Sequence, residues 1–317
     1  MTYTATIQGN YVQVAWFDHK TETVVSWDSI QGVKIEDRSP EITAIGIVHP
    51  PIRTHPVTII GTVRDIQIYD VMKRSDKPIF KIKLENMIKK ESESRDSNYI
   101  GGFCKGISLK DNAILIGTHT GEIIVILCHG EAHFTTKKNL KGHTQAVVGI
   151  ATCVYDDITV SCSANEEIIV WQKSLKGIQS KIETNENISA VNILRKQIII
   201  GTMRGIVQLY SVATGALMCE TTAHARVVTS ISVAPESAYI LTSSEDGIYT
   251  VSKLYTRKPH PYELEYRFSK KHQHPMIVGA QFMNPQGNMF ALVAFDHPQI
   301  SVFKIPTKVE PSSSQKT

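Results

Sequence analysis

The sequence predicts an all-β protein, a closed propeller of seven blades, and three observations lead there. First, two stretches superimpose. After Gly142-His143, Ser163, Asn165 and Trp171 follow at plus 20, 22 and 28, and after Ala223-His224, Ser244, Asp246 and Ser252 fall at the same offsets. Second, the strand-end position marked by Trp171 recurs along the chain at Trp27, Tyr69, Ile126, Trp171, Tyr210, Ser252 and Phe303. The spacings are 42, 57, 45, 39, 42 and 51 residues, around the roughly 40–45 of a four-stranded blade, with two intervals lengthened by insertions. Third, each period holds two short β-rich runs joined by a tight polar turn, too apolar on both faces to be stable as a lone sheet.

Taken in order, residues 1–40 are the poorest match. They hold up to four short strands, and Thr4 to Ile7 is a candidate for completing the last blade and closing the ring. The clearest strand pairs are Val57 to Gly61 with Ile66 to Tyr69, Ala113 to Thr118 with Glu122 to Ile126, and Ile198 to Thr202 with Val207 to Tyr210. Gly121, Gly205 and Gly247 stand in the turns, where a tight reversal calls for positive φ. Inner strands are expected at Ala146 to Thr152, Ile188 to Leu194, Val227 to Val233 and Ile277 to Met283. Outer ones are expected at Phe80 to Leu84, Leu217 to Thr222 and Tyr262 to Tyr266. One propeller over residues 1–304 then accounts for nearly the whole chain, with loop insertions at 85–98 and 255–275 and a disordered tail at 305–317.

Composition narrows the function classes. At 317 residues and 42% hydrophobic content, a large core can be buried. The net charge of +4 is mild and does not by itself argue for a phosphate-tracking protein. Five scattered cysteines, Cys104, Cys128, Cys153, Cys162 and Cys219, read as reduced thiols without a CxxC pair, which fits a cytoplasmic chain. The first twenty residues lack the pattern of a secretory leader, and no apolar run approaches the roughly 18 residues that cross a bilayer.

With these offsets in place, the chain resembles the WD-repeat family. The resemblance is carried by Gly117-Thr118-His119-Thr120-Gly121, by Val148 to Thr152 through Trp171, and by Ala223-His224-Ala225-Arg226 through Ser244-Glu245-Asp246-Gly247. It implies a non-catalytic platform that binds proteins, and blades locked internally by a His, a Ser or Thr, an Asp and a Trp. Carried onto this chain, the locks are His143, Ser163 and Trp171, with Asn165 in place of Asp, and His224, Ser244 and Asp246, with Ser252 in place of Trp.

Other constellations read as structural. His224, Ser244 and Asp246 have the composition of a hydrolase triad, but the blade register already explains them and no nucleophile-elbow sequence surrounds Ser244. His129-Gly130-Glu131-Ala132-His133 lacks the spacing and helix of a zinc site and reads as a solvated turn; His272 and His274 lack a third ligand nearby. No phosphate-cradling loop is present, so neither a cofactor nor a metal is expected. The basic excursion at 255–275, with Arg257, Lys258, Lys270, Lys271 and Tyr262, mixes cations and aromatics and is a candidate partner surface. The expected function is a scaffold or adaptor that binds other proteins within a larger assembly. The rival readings are a propeller binding anionic lipid or RNA through its basic loops, and an enzyme with its site in the central channel.

Overall fold

The computed structural model describes residues 2–9, 11–21, 23–31, 41–72, 77–86, 103–256 and 262–305. These residues form seven antiparallel sheets that succeed one another along the chain. The first contains β1 (Thr2–Gln8), β2 (Tyr11–Asp18) and β3 (Thr23–Gln31), and the second β4 (Ile42–Val48), β5 (Val57–Thr62), β6 (Asp65–Asp70) and β7 (Phe80–Lys83). The third has β8 (Cys104–Lys110), β9 (Ala113–Thr118) and β10 (Glu122–Cys128), whose outer edge is shared by the short β11 (Phe134–Thr136) and β12 (Leu140–Lys141). The fourth comprises β13 (Val147–Cys153), β14 (Ile158–Ser163), β15 (Glu167–Trp171) and β16 (Ile178–Glu183), and the fifth β17 (Ile188–Leu194), β18 (Gln197–Thr202), β19 (Ile206–Ser211) and β20 (Leu217–Thr222). The sixth holds β21 (Val228–Ala234), β22 (Tyr239–Ser244), β23 (Ile248–Tyr255) and β24 (Glu263–Lys271), and the seventh β25 (Ile277–Phe282), β26 (Met289–Ala294) and β27 (Ile300–Lys304).

First strands of successive sheets lie against one another, so they line the centre of a ring and the sheets radiate as blades. The core is divided among the seams between blades because alternate residues of a strand point to opposite neighbours. Ile198 and Ile200 pack with Val160, Ile168 and Val170 of the fourth blade, while Ile199 between them packs with Val228 and Ile231 of the sixth. That two-sided burial is why the second and third strands are rich in Ile and Val on both faces. Six inner strands also carry a bulge near their start, at Ile42/Ala44, Cys104/Ile107, Val147/Gly149, Ile188/Ala190, Val228/Ser230 and Ile277/Gly279. Such a bulge bends the strand and re-aims one side chain at the channel rim.

Ring closure differs from the sequence expectation. The stretch Thr4 to Ile7 belongs to β1 and pairs with β2, so it is the inner strand of the first blade and not an outer strand of the last. The ring closes instead by packing of whole sheets. Phe17 of β2 meets Met283, Met289 and Ala291 of the seventh blade, Thr2 Oγ1 donates to Met283 O at 2.7 Å, and Gln8 Nε2 donates to Pro298 O at 2.8 Å. Thr2–Gln8 pairs along its whole length with Tyr11–Asp18, and a contact so close in sequence costs less closure entropy than one with a strand at the far end of the chain.

The stretch expected as an excursion at 255–275 is largely regular structure: Glu263–Lys271 is the nine-residue β24. Arg257 and Lys258 lie outside the described residues, as do most of 85–98 and the tail beyond Ile305; Leu84–Asn86 forms a single 3-10 turn.

Candidate functional site

Polar links hold the fourth and sixth blades to the connections that precede them. In the fourth blade His143, buried in the connection from the third, places Nε2 2.7 Å from Ser161 Oγ and Nδ1 2.7 Å from Glu167 Oε2. Trp171 Nε1 donates to the same Ser161 Oγ at 2.9 Å. Because a carboxylate only accepts, Nδ1 carries the proton, and Ser161 donates to Nε2 while accepting from the indole. Lys181 of β16 completes the chain with 2.6 Å to Glu167 Oε1. Burial pushes the Glu167 pKa up, yet hydrogen bonds from Lys181 and His143 outweigh it and hold the carboxyl below its ordinary value.

This corrects the serine assignment. Ser163 does not meet His143; its hydroxyl donates to Asn165 Oδ1 in the following turn, and Asn165 Nδ2 reaches Thr144 Oγ1 at 3.2 Å. The sixth blade repeats the shift: His224 Nε2 lies 2.8 Å from Thr242 Oγ1, whereas Ser244 Oγ donates to Arg226 O at 3.2 Å. In a strand, residues i and i+2 share a face, so two hydroxyls one period apart are equivalent by alternation alone. Depth separates them, since the imidazole reaches one turn further into the blade than the offset pattern suggested. Asp246 is nearly buried, but its Oδ2 stands 3.5 Å from His224 Nδ1, and it spends its oxygens on Ala225 N at 2.9 Å and Ile248 N at 2.8 Å. It is a turn cap. His224, Ser244 and Asp246 thus form no proton-relay chain.

Two further blades carry a link that the sequence reading missed. Tyr69 Oη donates to Gln67 Oε1 at 2.6 Å, and Gln67 Nε2 donates to Asp65 Oδ1 at 2.9 Å; Lys81 of the outer strand holds the other Asp65 oxygen at 2.9 Å. In the fifth blade Tyr210 Oη donates to Gln208 Oε1 at 3.1 Å and Gln208 Nε2 to Glu220 Oε2 at 2.6 Å. The signal was present as Gln67-Ile68-Tyr69 and Gln208-Leu209-Tyr210 on equivalent third strands. Each blade of this kind replaces the His–Ser–Trp chain by one that starts from a third-strand Tyr and Gln and ends on a carboxylate, on the same strand in the second blade and on the outer strand in the fifth. The second blade also buries Arg53 against Asp70 at 2.7 Å, and Glu131 of the third blade accepts from Thr54 N and Oγ1 at 2.8 and 3.0 Å. The turn around His129 and His133 is therefore an inter-blade tie and not merely solvated.

The ends of the channel differ in chemistry. On one face, which carries the blade connections and the turns between second and third strands, an equivalent backbone bond recurs in six blades. The residue after the second strand donates its N–H to the residue before the first: Val63 to Glu41, His119 to Phe103, Ala164 to Ala146, Met203 to Asn187, Glu245 to Val227 and Phe295 to Met276, at 2.8–3.2 Å. These pairs set a rim whose carboxylates are Glu41 and Glu245 and whose other members are mostly apolar. Three are well exposed, Phe103 at 42%, Met203 at 47% and Phe295 at 63%, with Val278 at 45% beside the last. Lys270 and Lys271 sit exposed where β24 reaches this face and make no ion pair among the described residues. Tyr262, by contrast, packs into the core with Leu254 and Leu264.

The channel wall itself is made of hydroxyls and amides consumed in ties between inner strands. Ser108 meets Thr152 at 2.8 Å, Asn192 Nδ2 donates to Ile231 O at 2.8 Å, and Ser230 and Ser232 accept from Ala280 N and Phe282 N at 2.8 and 2.9 Å. None of the seven inner strands contains Asp, Glu or His. A cavity of about 380 Å³ at the opposite mouth, lined by Asn192, Ser232, Gln281, Phe282 and Met283 among others, likewise has no ionisable side chain. His272 is buried against Ser301 at 3.2 Å while His274 and His297 stack at 3.8 Å between ring centres; no metal-holding group of three ligands occurs among the described residues.

A ring of seven antiparallel blades, with a connection histidine seated on a second-strand hydroxyl and a third-strand indole, defines a WD-repeat β-propeller. More particularly, the family model of WDR54 matches residues 37–305, and the chain belongs to that family. It is 27% identical over 213 residues to WD repeat domain 54 of Rattus norvegicus and 27% identical over 216 residues to WD repeat-containing protein 54 of Mus musculus. In each case the match spans 63% of this chain and 63% of the relative's length. Among solved structures, a chain of the Mitotic Checkpoint Complex crystal structure superposes with a TM-score of 0.73 over 96% of this chain and 84% of its own, at 15% identity, a likeness of fold alone.

Proposed function

We propose that this protein is a non-catalytic scaffold that binds other proteins within a cytoplasmic assembly, using the apolar rim of the connection face as its docking surface. The observation that carries this reading is the recurrence of one backbone bond in six blades, which presents Phe103, Met203 and Phe295 to solvent on fixed backbone. Aromatic and Met side chains are enriched at interfaces, and a backbone already held in place limits the ordering that covering them requires. The basic edge at Lys270 and Lys271 borders this rim and would steer an acidic partner. Inner strands without carboxylate or imidazole offer no acid–base pair to the channel, which favours a platform over an enzyme. The five cysteines are all unpaired, in keeping with a reducing compartment.

The test is a comparison of tagged wild type with the triple variant Phe103→Asp, Met203→Asp, Phe295→Asp by affinity purification and mass spectrometry. The variant should keep its melting temperature and lose a partner that the wild type retains. An identical set of partners would reject the rim as the docking surface.

A further inference from the structure

Two donors converge on the sulfur of Met72, and we propose that this residue is a site of oxidation by a peroxide, where the sulfoxide oxygen accepts from Trp16 and Tyr3 and ties the first blade to the second. Trp16 Nε1 donates to Met72 Sδ at 3.4 Å, and Tyr3 Oη approaches the same sulfur at 3.9 Å. Tyr3 and Trp16 face each other across the β1–β2 ladder, with ring centres 6.1 Å apart. Met72 comes from the other side of the seam, directly after Val71, which packs with Val12, Val14 and Trp16 of the first blade. Its backbone is fixed: Met72 N donates to Asp70 Oδ1 at 2.9 Å, and Asp70 is itself paired with buried Arg53 at 2.7 Å.

A thioether is a weak acceptor, so the indole N–H of buried Trp16 is poorly served by its partner. A sulfoxide serves it better. In the oxidation a sulfur lone pair attacks one peroxide oxygen, the S–O bond forms as the O–O bond breaks, and the proton of the transferred oxygen passes to the departing hydroxide. Sulfide and hydrogen peroxide give sulfoxide and water; sulfur loses two electrons and the peroxide gains them. The sulfur carries two lone pairs, so one is open to attack while the indole holds the other. Rotation about the Cγ–Sδ bond of this flexible side chain then turns the new oxygen toward the donors.

Exposure and donors together single this residue out. Met72 is 45% exposed and Met203 47%, so a soluble peroxide reaches both, but the Met203 sulfur meets no donor among the described residues. Met283 and Met289 are buried with Phe17 in the seam between the seventh and first blades, where an added oxygen would lie among apolar groups. Sulfoxidation ordinarily disrupts a structure because it puts a polar atom into such a core. At Met72 the oxygen arrives half in water, with an indole N–H and a phenol O–H beside it, and there it stabilises the seam.

The experiment treats the full chain with limiting hydrogen peroxide, follows each methionine by peptide mass spectrometry, and reads the melting temperature before and after. Met72 should be converted ahead of Met283 and Met289. The change in melting temperature should exceed that of Met72→Leu, which keeps Met203, by roughly 2 °C, the shift expected for one improved hydrogen bond in a chain of this size. Trp16→Phe should abolish the gain and Tyr3→Phe should reduce it, each variant being compared with its own untreated sample. Should Trp16→Phe not fold, untreated Met72→Gln decides: its amide oxygen offers the donors a strong acceptor at similar reach, and it should melt above Met72→Leu. A Met72 left unconverted, no gain over Met72→Leu, a gain that survives Trp16→Phe, or a Met72→Gln that melts no higher than Met72→Leu would each overturn the proposal. Partner docking is not read in this measurement, so the two proposals fail separately.

Discussion

At the residue scale the blade links are decided by where a hydroxyl sits along its strand. Ser161 serves two partners, accepting from Trp171 and donating to His143, while Ser163 serves a turn. Ser161→Ala should therefore cost about 2–4 kcal/mol, since it strands a buried indole N–H and a buried imidazole nitrogen, and Ser163→Ala about 1 kcal/mol. Urea unfolding midpoints will rank the two; equal losses, or the larger loss at Ser163, would return the lock to the serine that the offsets suggested. Asp246 shows the same lesson in reverse. The offset pattern found the residue, but its oxygens bond backbone N–H groups at 2.8–2.9 Å and stand further, at 3.5 Å, from the neighbouring imidazole.

At the element scale, the turns between second and third strands explain why the glycines were readable. Gly205 and Gly247 have φ of +84° and +78°, yet their surroundings differ: a Cβ on Gly205 would meet His224 O at 2.1 Å, whereas one on Gly247 would find nothing nearer than 3.5 Å. Gly247→Ala should cost about 1–2 kcal/mol from the left-handed backbone alone. Gly205→Ala adds a clash with the connection that carries His224, and its loss should be at least twice as large by the same unfolding measurement. Comparable losses would mean that the blade connection yields easily. The fourth blade dispenses with glycine, accepting Glu166 at φ +63°, with Thr184 N and Oγ1 bonded to its carbonyl at 2.7 and 3.0 Å.

At the scale of the whole molecule, two connection histidines make stability depend on pH. Burial pushes the pKa of both His143 and His224 below the ordinary 6.5, with Glu167 and Asp246 opposing but not cancelling it. The unfolded chain then takes up protons first as pH falls, so this stabilisation is complete above about 6.5 and is lost as pH drops through the lower folded values. The melting temperature should be level between about pH 7 and 8 and fall toward pH 5. His143→Gln should reduce the slope, whatever it does to stability at pH 8; an unaltered slope would assign the dependence to other groups.

Much of this architecture was legible in one chain. The offsets after His143 and His224, the seven third-strand positions and the turn glycines follow from alternation and backbone sterics, which act within a few residues and repeat with each blade. The seams between blades, the closure through Phe17, Thr2 and Met283, and the depth at which Ser161 rather than Ser163 meets the imidazole were not legible. They depend on which surfaces meet after the chain has travelled a full circuit. Likewise Gln67 and Tyr69 read as ordinary strand residues until their burial forces each polar group to find a partner. The sequence by itself determined that seven like units would form and hide both faces. Only the tertiary structure decided which polar atoms were left to satisfy one another and which surfaces were left at the rim, because burial and closure are properties of the assembled ring.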